Sequence, residues 1–312
     1  NAQVAKALVS MADSGRVAHA MLMYENEGCG ALALALAYVQ YLNCAHPVDG
    51  DSCGECLSCR QMSKLIHPDV HYVFPVNKGP KTSDDKPTSE SYIKYWRELA
   101  LANPYFTEAD LQRAIGIESK NGLIAVAEAK FIINTLSLTS VADGYKAVIL
   151  YLPEKMNQET ANRLLKMVEE PPEKTIFIFI THSPEKVLQT IFSRCQSVRV
   201  MPLSKEEAAQ VKALNPFDDS EEYDRFMDLF ADLMRAVASG DLQAALECGE
   251  MAAALESREK QKAFCTFAGQ CIRKIFMIQQ NMPQIADVAE QEKEFYEEMA
   301  QRCGKGFCSR TI

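Results

Sequence analysis

Apolar residues follow two different patterns along the chain. Between residues 145 and 200 they form short unbroken runs, Ala147 to Tyr151 and the alternating Ile and Phe of Thr175 to Thr181. Runs of this length suit parallel strands buried on both faces by helices. Between them, Ala161, Leu164, Leu165 and Val168 fall at i, i+3, i+4 and i+7, which predicts a helix over Gln158 to Glu169. Asn157 is placed to cap its start, Glu159 suits the positive end of its dipole, and Pro171-Pro172 stop it. A helical turn at Pro184 to Gln189 then leads into Ser193-Arg194-Cys195 and a last short strand.

Upstream, Val4, Leu8 and Met11 make one stripe of a helix over Ala2 to Ser14, and Met21 to Tyr24 is a short apolar strand. Ala31 to Tyr41 is Ala/Leu on every face and is expected to be buried. His67 to Phe74 is a turn feeding a strand; Pro68 between His67 and Asp69 favours a rigid turn over acid–base chemistry. The polar stretch from Lys78 to Ser91 is expected to be mobile. Ile93, Trp96 and Ala100 predict a docked helix that ends at Asn103-Pro104. Another helix is expected over Leu123 to Leu138, with Asp143-Gly144 turning the chain into the central stretch. Ser204 and Glu207 have capping-box spacing, soon followed by Asn215-Pro216 and the acidic run Asp218 to Glu222. From Tyr223 onward the period is helical throughout: Phe226, Leu229, Phe230, Leu233 and Val237, an Ala-rich segment at 243–255, then Phe264 to Gln279.

Composition narrows the function. At 312 residues the chain has room for two or three domains, and no apolar run approaches the roughly 20 residues needed to cross a bilayer. Asn1 is not a methionine, so the natural N-terminus is expected upstream. The net charge is −9, with 42 acids against 33 bases. An autonomous DNA binder carries a basic face, so any DNA contact is expected to be shared with partner chains.

Of the eleven cysteines, four are clustered as Cys44-x8-Cys53-x2-Cys56-x2-Cys59. An odd total with one tight cluster argues for a reducing cytosol and a metal site rather than a disulfide framework. Thiolates suit tetrahedral zinc, and four of them close a structural site with no open position for chemistry. His46 and His67 are alternative ligands nearby, and Cys303 and Cys308 are too few for a second site.

The segment Asn162-Arg-Leu-Leu-Lys-Met-Val-Glu-Glu-Pro-Pro172, the Ile/Phe strand after it and Thr190-Ile-Phe-Ser-Arg-Cys-Gln196 resemble bacterial DNA polymerase III clamp-loader subunits. These AAA+ proteins include an ATP-hydrolysing gamma/tau motor and a non-hydrolysing delta-prime type. The resemblance covers about Gly15 to Leu203, with an insertion at 76–122 that reads as surface elaboration. It implies a P-loop NTPase-like α/β AAA+ module at 1–203 with a zinc knuckle at 44–59. A shortened or incomplete lid at 204–222 and an all-α collar at 223–312 would follow.

In this family Met21 to Tyr24 would be the first strand of a nucleotide-binding sheet. A working phosphate loop reads G-x-x-x-x-G-K-[ST]: glycines turn backbone N–H groups to the phosphates, lysine neutralises them, and the hydroxyl holds magnesium. Here Gly28 and Gly30 remain, but Glu25 replaces the first glycine, Ala31 the lysine and Leu32 the hydroxyl. Tyr151 and Leu152 stand where a hydrolysing strand carries adjacent acids, and Glu154 beyond them reads as a solvated carboxylate. The resemblance therefore implies a delta-prime-like, cytoplasmic subunit with structural zinc and no functional ATP site. It would work with gamma/tau and delta subunits, and through the complex with the sliding clamp and primer-template DNA. Arg194, flanked by Ser193 and Cys195, would be an arginine finger acting in trans, against the plainer expectation of a surface arginine paired with a carboxylate. The competing readings are an active gamma/tau-type ATPase and a stand-alone zinc-dependent nucleic-acid binder. The altered nucleotide positions weigh against the first, and the acidic charge and buried strands against the second.

Overall fold

Both unbroken apolar runs lie at the centre of a five-stranded sheet in the computed structural model. It describes residues 1–118, 120–137, 144–204, 207, 210–211, 220–256, 258–282, 286, 288 and 292–304. The strands are β1 Ala20–Tyr24, β2 Val70–Val73, β3 Lys146–Tyr151, β4 Thr175–Thr181 and β5 Gln196–Arg199. Every pairing is parallel, in the order β2-β3-β4-β1-β5. The chain divides into two compact units, Asn1–Phe217 and Asp218–Ile312.

Side chains alternate across the strands, so one sequence feeds two cores. Met21, Met23, Ile149, Tyr151, Ile178 and Ile180 enter one core. Leu22, Val148, Leu150, Phe177 and Phe179 enter the other. The first face is covered by α1 (Ala2–Asp13), α2 (Ala31–Leu42), α4 (Ser89–Ala102) and α5 (Glu108–Ile115). The second is covered by α6 (Val126–Leu136), α7 (Gln158–Glu169) and α8 (Gln189–Phe192). A short α3 (Leu57–Met62) follows α2. The edge strand β2 is largely buried too, at Val70, Tyr72 and Val73. β5 lies at the sheet edge, with Gln196, Ser197 and Arg199 exposed.

Asn157 does cap α7: its Oδ1 accepts from Thr160 N at 2.8 Å. The Ser204–Glu207 capping box is also formed, with hydrogen bonds of 2.8 and 3.2 Å. Other elements differ from the sequence reading. The helix expected from Leu123 starts at Val126, because Leu123 and Ile124 make β-bridges to Val76 and Met156. Leu138, Asp143 and most of the 204–222 lid region lie outside the described residues.

The insertion is more than surface elaboration. Tyr92, Trp96, Phe106, Leu111 and Ile115 enter the core, with Trp96 stacked on Tyr72 at 4.4 Å between ring centroids. Helix α4 begins at Ser89, inside the stretch expected to be mobile, and is fixed from two sides. Ser89 Oγ donates to Phe74 O and accepts from Phe74 N, and Ser89 N donates to the buried carboxylate of Glu128 at 2.8 Å.

Burial pushes the Glu128 pKa from 4.5 up to about 7, the Ser89 N–H offsetting only part of the cost. Its stabilising contribution is thus full below pH 4.5, falls as the unfolded chain ionises first, and is lost by about pH 7. We expect Glu128→Gln, which keeps an acceptor for Ser89, to gain stability over wild type as pH rises through this window. The gain should reach roughly 3 kcal/mol above it. Urea denaturation at pH 4.5 and pH 8 checks this; an equal difference at both would refute it.

The second unit holds α9 (Ser220–Ser239), α10 (Leu242–Ala253), α11 (Arg258–Gln279) and α12 (Lys293–Arg302). Its core gathers Phe226, Leu229, Phe230, Met234, Phe264, Ile275 and Tyr296. Val237, expected on the α9 stripe, is exposed, and Met234 is buried instead. Gln279 Nε2 satisfies the carbonyls of Ala300 and Cys303 at the end of α12, at 3.1 and 2.8 Å.

Candidate nucleotide, metal and arginine sites

Strand β1 ends at Tyr24, and the loop to α2 turns through Gly28 and Gly30 with φ of 80° and 100°. Both are left-handed values, and at Gly30 an added Cβ would also lie 2.5 Å from Tyr105 Cε1. The phenol ring of the insertion therefore rests on the loop where a phosphate would otherwise approach.

Glu25 turns back beneath this loop. It is buried, and its Oε2 accepts from Ala31 N at 2.7 Å. A helix N-terminus presents unsatisfied N–H groups and a positive partial charge, the usual seat of a phosphate. Here a carboxylate of the chain itself occupies it. Glu27 does the same for α5, its Oε1 accepting from Glu108 N at 2.6 Å. Lys155 Nζ, 2.8 Å from Glu108 Oε1, adds a cation to this group. Ala31 and Leu32 are buried and offer neither a cation nor a hydroxyl.

His182, just after β4, faces the same acids. Nε2 is 3.6 Å from Glu25 Oε1 and Nδ1 is 3.9 Å from Glu27 Oε1, distances of ion pairs rather than hydrogen bonds. Burial alone would lower its pKa, but Glu25, Glu27 and Glu154 together outweigh it and the pKa is raised. Glu154 is half-buried, not solvated as its sequence neighbours suggest. It accepts from Thr181 Oγ1 at 2.8 Å and from His182 N at 3.4 Å, and burial raises its pKa. Tyr151 packs edge-on against His182 with its hydroxyl on Phe106 O, and Leu152 is buried at φ 59°.

The cysteine cluster forms from the connection between α2 and α3, which carries Cys44, Cys53 and Cys56, and from Cys59 in α3. The sulfurs of Cys44, Cys53, Cys56 and Cys59 all lie within 4.8 Å of one another, and all four are free thiols. Tetrahedral zinc with bonds of about 2.3 Å needs sulfurs about 3.8 Å apart; Cys53 and Cys59 are separated by 4.0 Å. Backbone N–H groups point at the ring: Cys53 N at Cys44 Sγ, Cys56 N at Cys53 Sγ and Cys59 N at Cys56 Sγ, at 3.2 to 3.4 Å. Such donors stabilise thiolates. The Cys56 thiol is pulled down to about 6, first by the Ala45 backbone, whereas burial drives Cys59 up to about 12. The donor set fits one soft cation and leaves no ligand position open.

Arg194 lies in the turn between α8 and β5. Its Nε donates to Glu169 at the end of α7, and its Nη1 donates to Thr190 O at 2.8 Å and Ser193 Oγ at 3.3 Å. Cys195 packs against the second core, its thiol pushed up to about 12 by burial. Gln196 is level with Met21, and Arg199 with Tyr24. Arg194 thus sits near the N-terminal ends of the strands, whereas the loop through Gly28 and Gly30 follows Tyr24 at their C-terminal ends.

Residues 1–204 match the family described as DNA polymerase III, delta subunit. The DNA polymerase III subunit delta' of Yersinia pestis is 33% identical over 190 residues, covering 60% of this chain and 43% of that protein. The corresponding protein of Pseudomonas aeruginosa is 29% identical over 178 residues, 57% and 42% of the two chains. The gamma/tau subunit of Mycobacterium bovis is 30% identical over 182 residues, 58% of this chain and 24% of that protein. The chain spans less than half the length of these curated relatives. The family match takes in 204 of 312 residues, both altered nucleotide elements, the cysteine cluster and the Ser193-Arg194-Cys195 turn. On that match the chain belongs to the DNA polymerase III delta-subunit family, among delta-prime clamp-loader subunits with gamma/tau relatives.

Proposed function

We propose that this chain is a non-hydrolysing, delta-prime-like subunit of the clamp loader, a stator in the complex that loads the sliding clamp on primer-template DNA. The observation that carries this is the hydrogen bond from Ala31 N to the Glu25 carboxylate. An anion already fills the helix N-terminus where a nucleotide phosphate would bind. A phosphate brought there meets a like charge, with neither lysine nor adjacent magnesium-holding acids to offset it. Tyr105 over Gly30 adds a steric barrier.

Its partners in this reading are the gamma/tau and delta subunits, with the clamp and DNA reached through the assembly in the cytoplasm. The net charge of −9 is in keeping with DNA contacts made jointly. Structural zinc on Cys44, Cys53, Cys56 and Cys59 supports the loop between α2 and α3. Arg194 is the group offered to a neighbour. Its turn precedes Gln196, which is level with Met21, and from there the strands run a further three residues, about 10 Å, to Tyr24, where the loop through Gly28 and Gly30 begins. From its turn Arg194 serves a nucleotide held by another subunit.

Calorimetry with ATP and magnesium tests the silent site. We expect no binding in the micromolar range and no turnover by the purified chain. Micromolar, magnesium-dependent binding would overturn the non-hydrolysing reading and favour a motor subunit.

A further inference from the structure

Glu169 stands at an electrostatically wrong place. It is the last residue of α7, followed by Glu170, where the negative end of the helix dipole repels carboxylates. Its partner is across the turn: the Arg194 Nε–H donates to Glu169 Oε1. The other side of the guanidinium is held by Thr190 O and Ser193 Oγ. Nη2 makes no hydrogen bond among the described residues, and the Arg194 side chain is 35% exposed.

We infer that Glu169 is the positioning residue of Arg194: it holds the Nε edge of the guanidinium so that Nη2 faces outward, toward a phosphate carried by a neighbouring subunit. The inference rests on the proposed role of Arg194 in trans. An arginine on a short turn otherwise samples many rotamers, and fixing it beforehand removes that entropy from the reacting complex. Two anchored edges and one open nitrogen make a preorganised donor. A carboxylate is a fitting anchor, since it binds the guanidinium strongly, and here its contact is to Nε.

The test uses the clamp loader reconstituted from this chain with its cognate motor and delta subunits. Steady-state ATPase is measured with DNA and clamp for Glu169→Ala, Glu169→Gln, Arg194→Ala and the double variant. Glu169→Ala should lower kcat about two- to fivefold at unchanged KM for ATP. That lies well inside the 10²-fold that an ångström of misplacement can cost, and in the proposed complex the other sites carry arginines of their own. Glu169→Gln, which retains an oxygen for Nε, should recover most of the rate. The double variant should be no slower than Arg194→Ala alone. Melting of the isolated Glu169→Ala chain should not fall, because a carboxylate has been removed from a helix C-terminus.

Wild-type kcat for Glu169→Ala, alongside a slow Arg194→Ala, would overturn the positioning role and leave the trans role intact. A raised kcat would overturn it too, by showing that the carboxylate competes with the phosphate. No effect of Arg194→Ala would remove the trans role itself, and this inference with it.

Discussion

Purified protein should contain one zinc per chain, and removing it should cost the first unit several kcal/mol. Cys44, Cys53, Cys56 and Cys59 already gather their sulfurs within 4.8 Å, with three backbone N–H groups directed at them. Without a cation the four sulfurs have no bond holding them together, and the loop between α2 and α3 keeps only weaker ties such as Gln40 Nε2 to Ser52 Oγ. Structural zinc in isolated fingers contributes about 10–16 kcal/mol. Here the ends of the loop are also held by packing: Met62 and Leu65, just after the cluster, sit in the core. The loss should therefore be smaller, about 3–5 kcal/mol, or a fall of roughly 10 °C in Tm at 2–4 °C per kcal/mol. Cys59→Ser is the sharpest variant, since Cys59 is fully buried in α3. Elemental analysis and thermal melting with and without chelator read the result, and proteolysis within residues 45–58 should accelerate on chelation. Metal-free protein as purified, or a serine variant as stable as wild type, would sink the assignment. ATP hydrolysis by the assembled complex should fall only as far as folding does, because no ligand position is open to chemistry.

What could be read in advance was short-range. β3, β4 and α7 were legible from apolar runs, one i, i+3, i+4, i+7 stripe and a capping asparagine, and each lies within a residue of its expected bounds. The cysteine spacing announced the cluster that the fold assembles. A further local signal is the Thr107–Asp110 capping box that opens α5.

The rest was tertiary. Glu154 stands between Pro153 and Lys155 in sequence, and its burial comes from Thr181 on β4 and His182 just after it. The insertion offered no local reason to touch the phosphate loop, yet Glu27 caps α5 across 81 positions of chain. Tyr105 meets Gly30 because Trp96 and Phe106 anchor the insertion on the sheet. The missing lysine was visible from Ala31, but what replaced it was not. In the fold the Glu25 carboxylate accepts from Ala31 N at the start of α2, a contact no local sequence signal announces.

Arg194→Ala should leave fold and metal content intact and slow clamp loading by the reconstituted complex about tenfold or more. A finger that stabilises transition-state charge is worth about 10³ to 10⁵ at the site it serves. Total ATPase should fall less than loading if, as proposed, other sites of the complex carry arginines of their own. The variant loses its contacts to Glu169, Thr190 and Ser193, all at a partly exposed turn, so stability should change by no more than about 1 kcal/mol. Arg194→Lys should fail to rescue loading. Its ammonium can reach Glu169, but it cannot hold that carboxylate and the Thr190 carbonyl while presenting a third nitrogen outward. Co-purification with the motor and delta subunits is the control that separates lost chemistry from lost assembly. Normal loading by an assembled Arg194→Ala complex would leave Arg194 as a surface arginine paired with Glu169. If lysine supported loading as well as arginine, the requirement would be for charge alone, and the anchored fork would have no part in it.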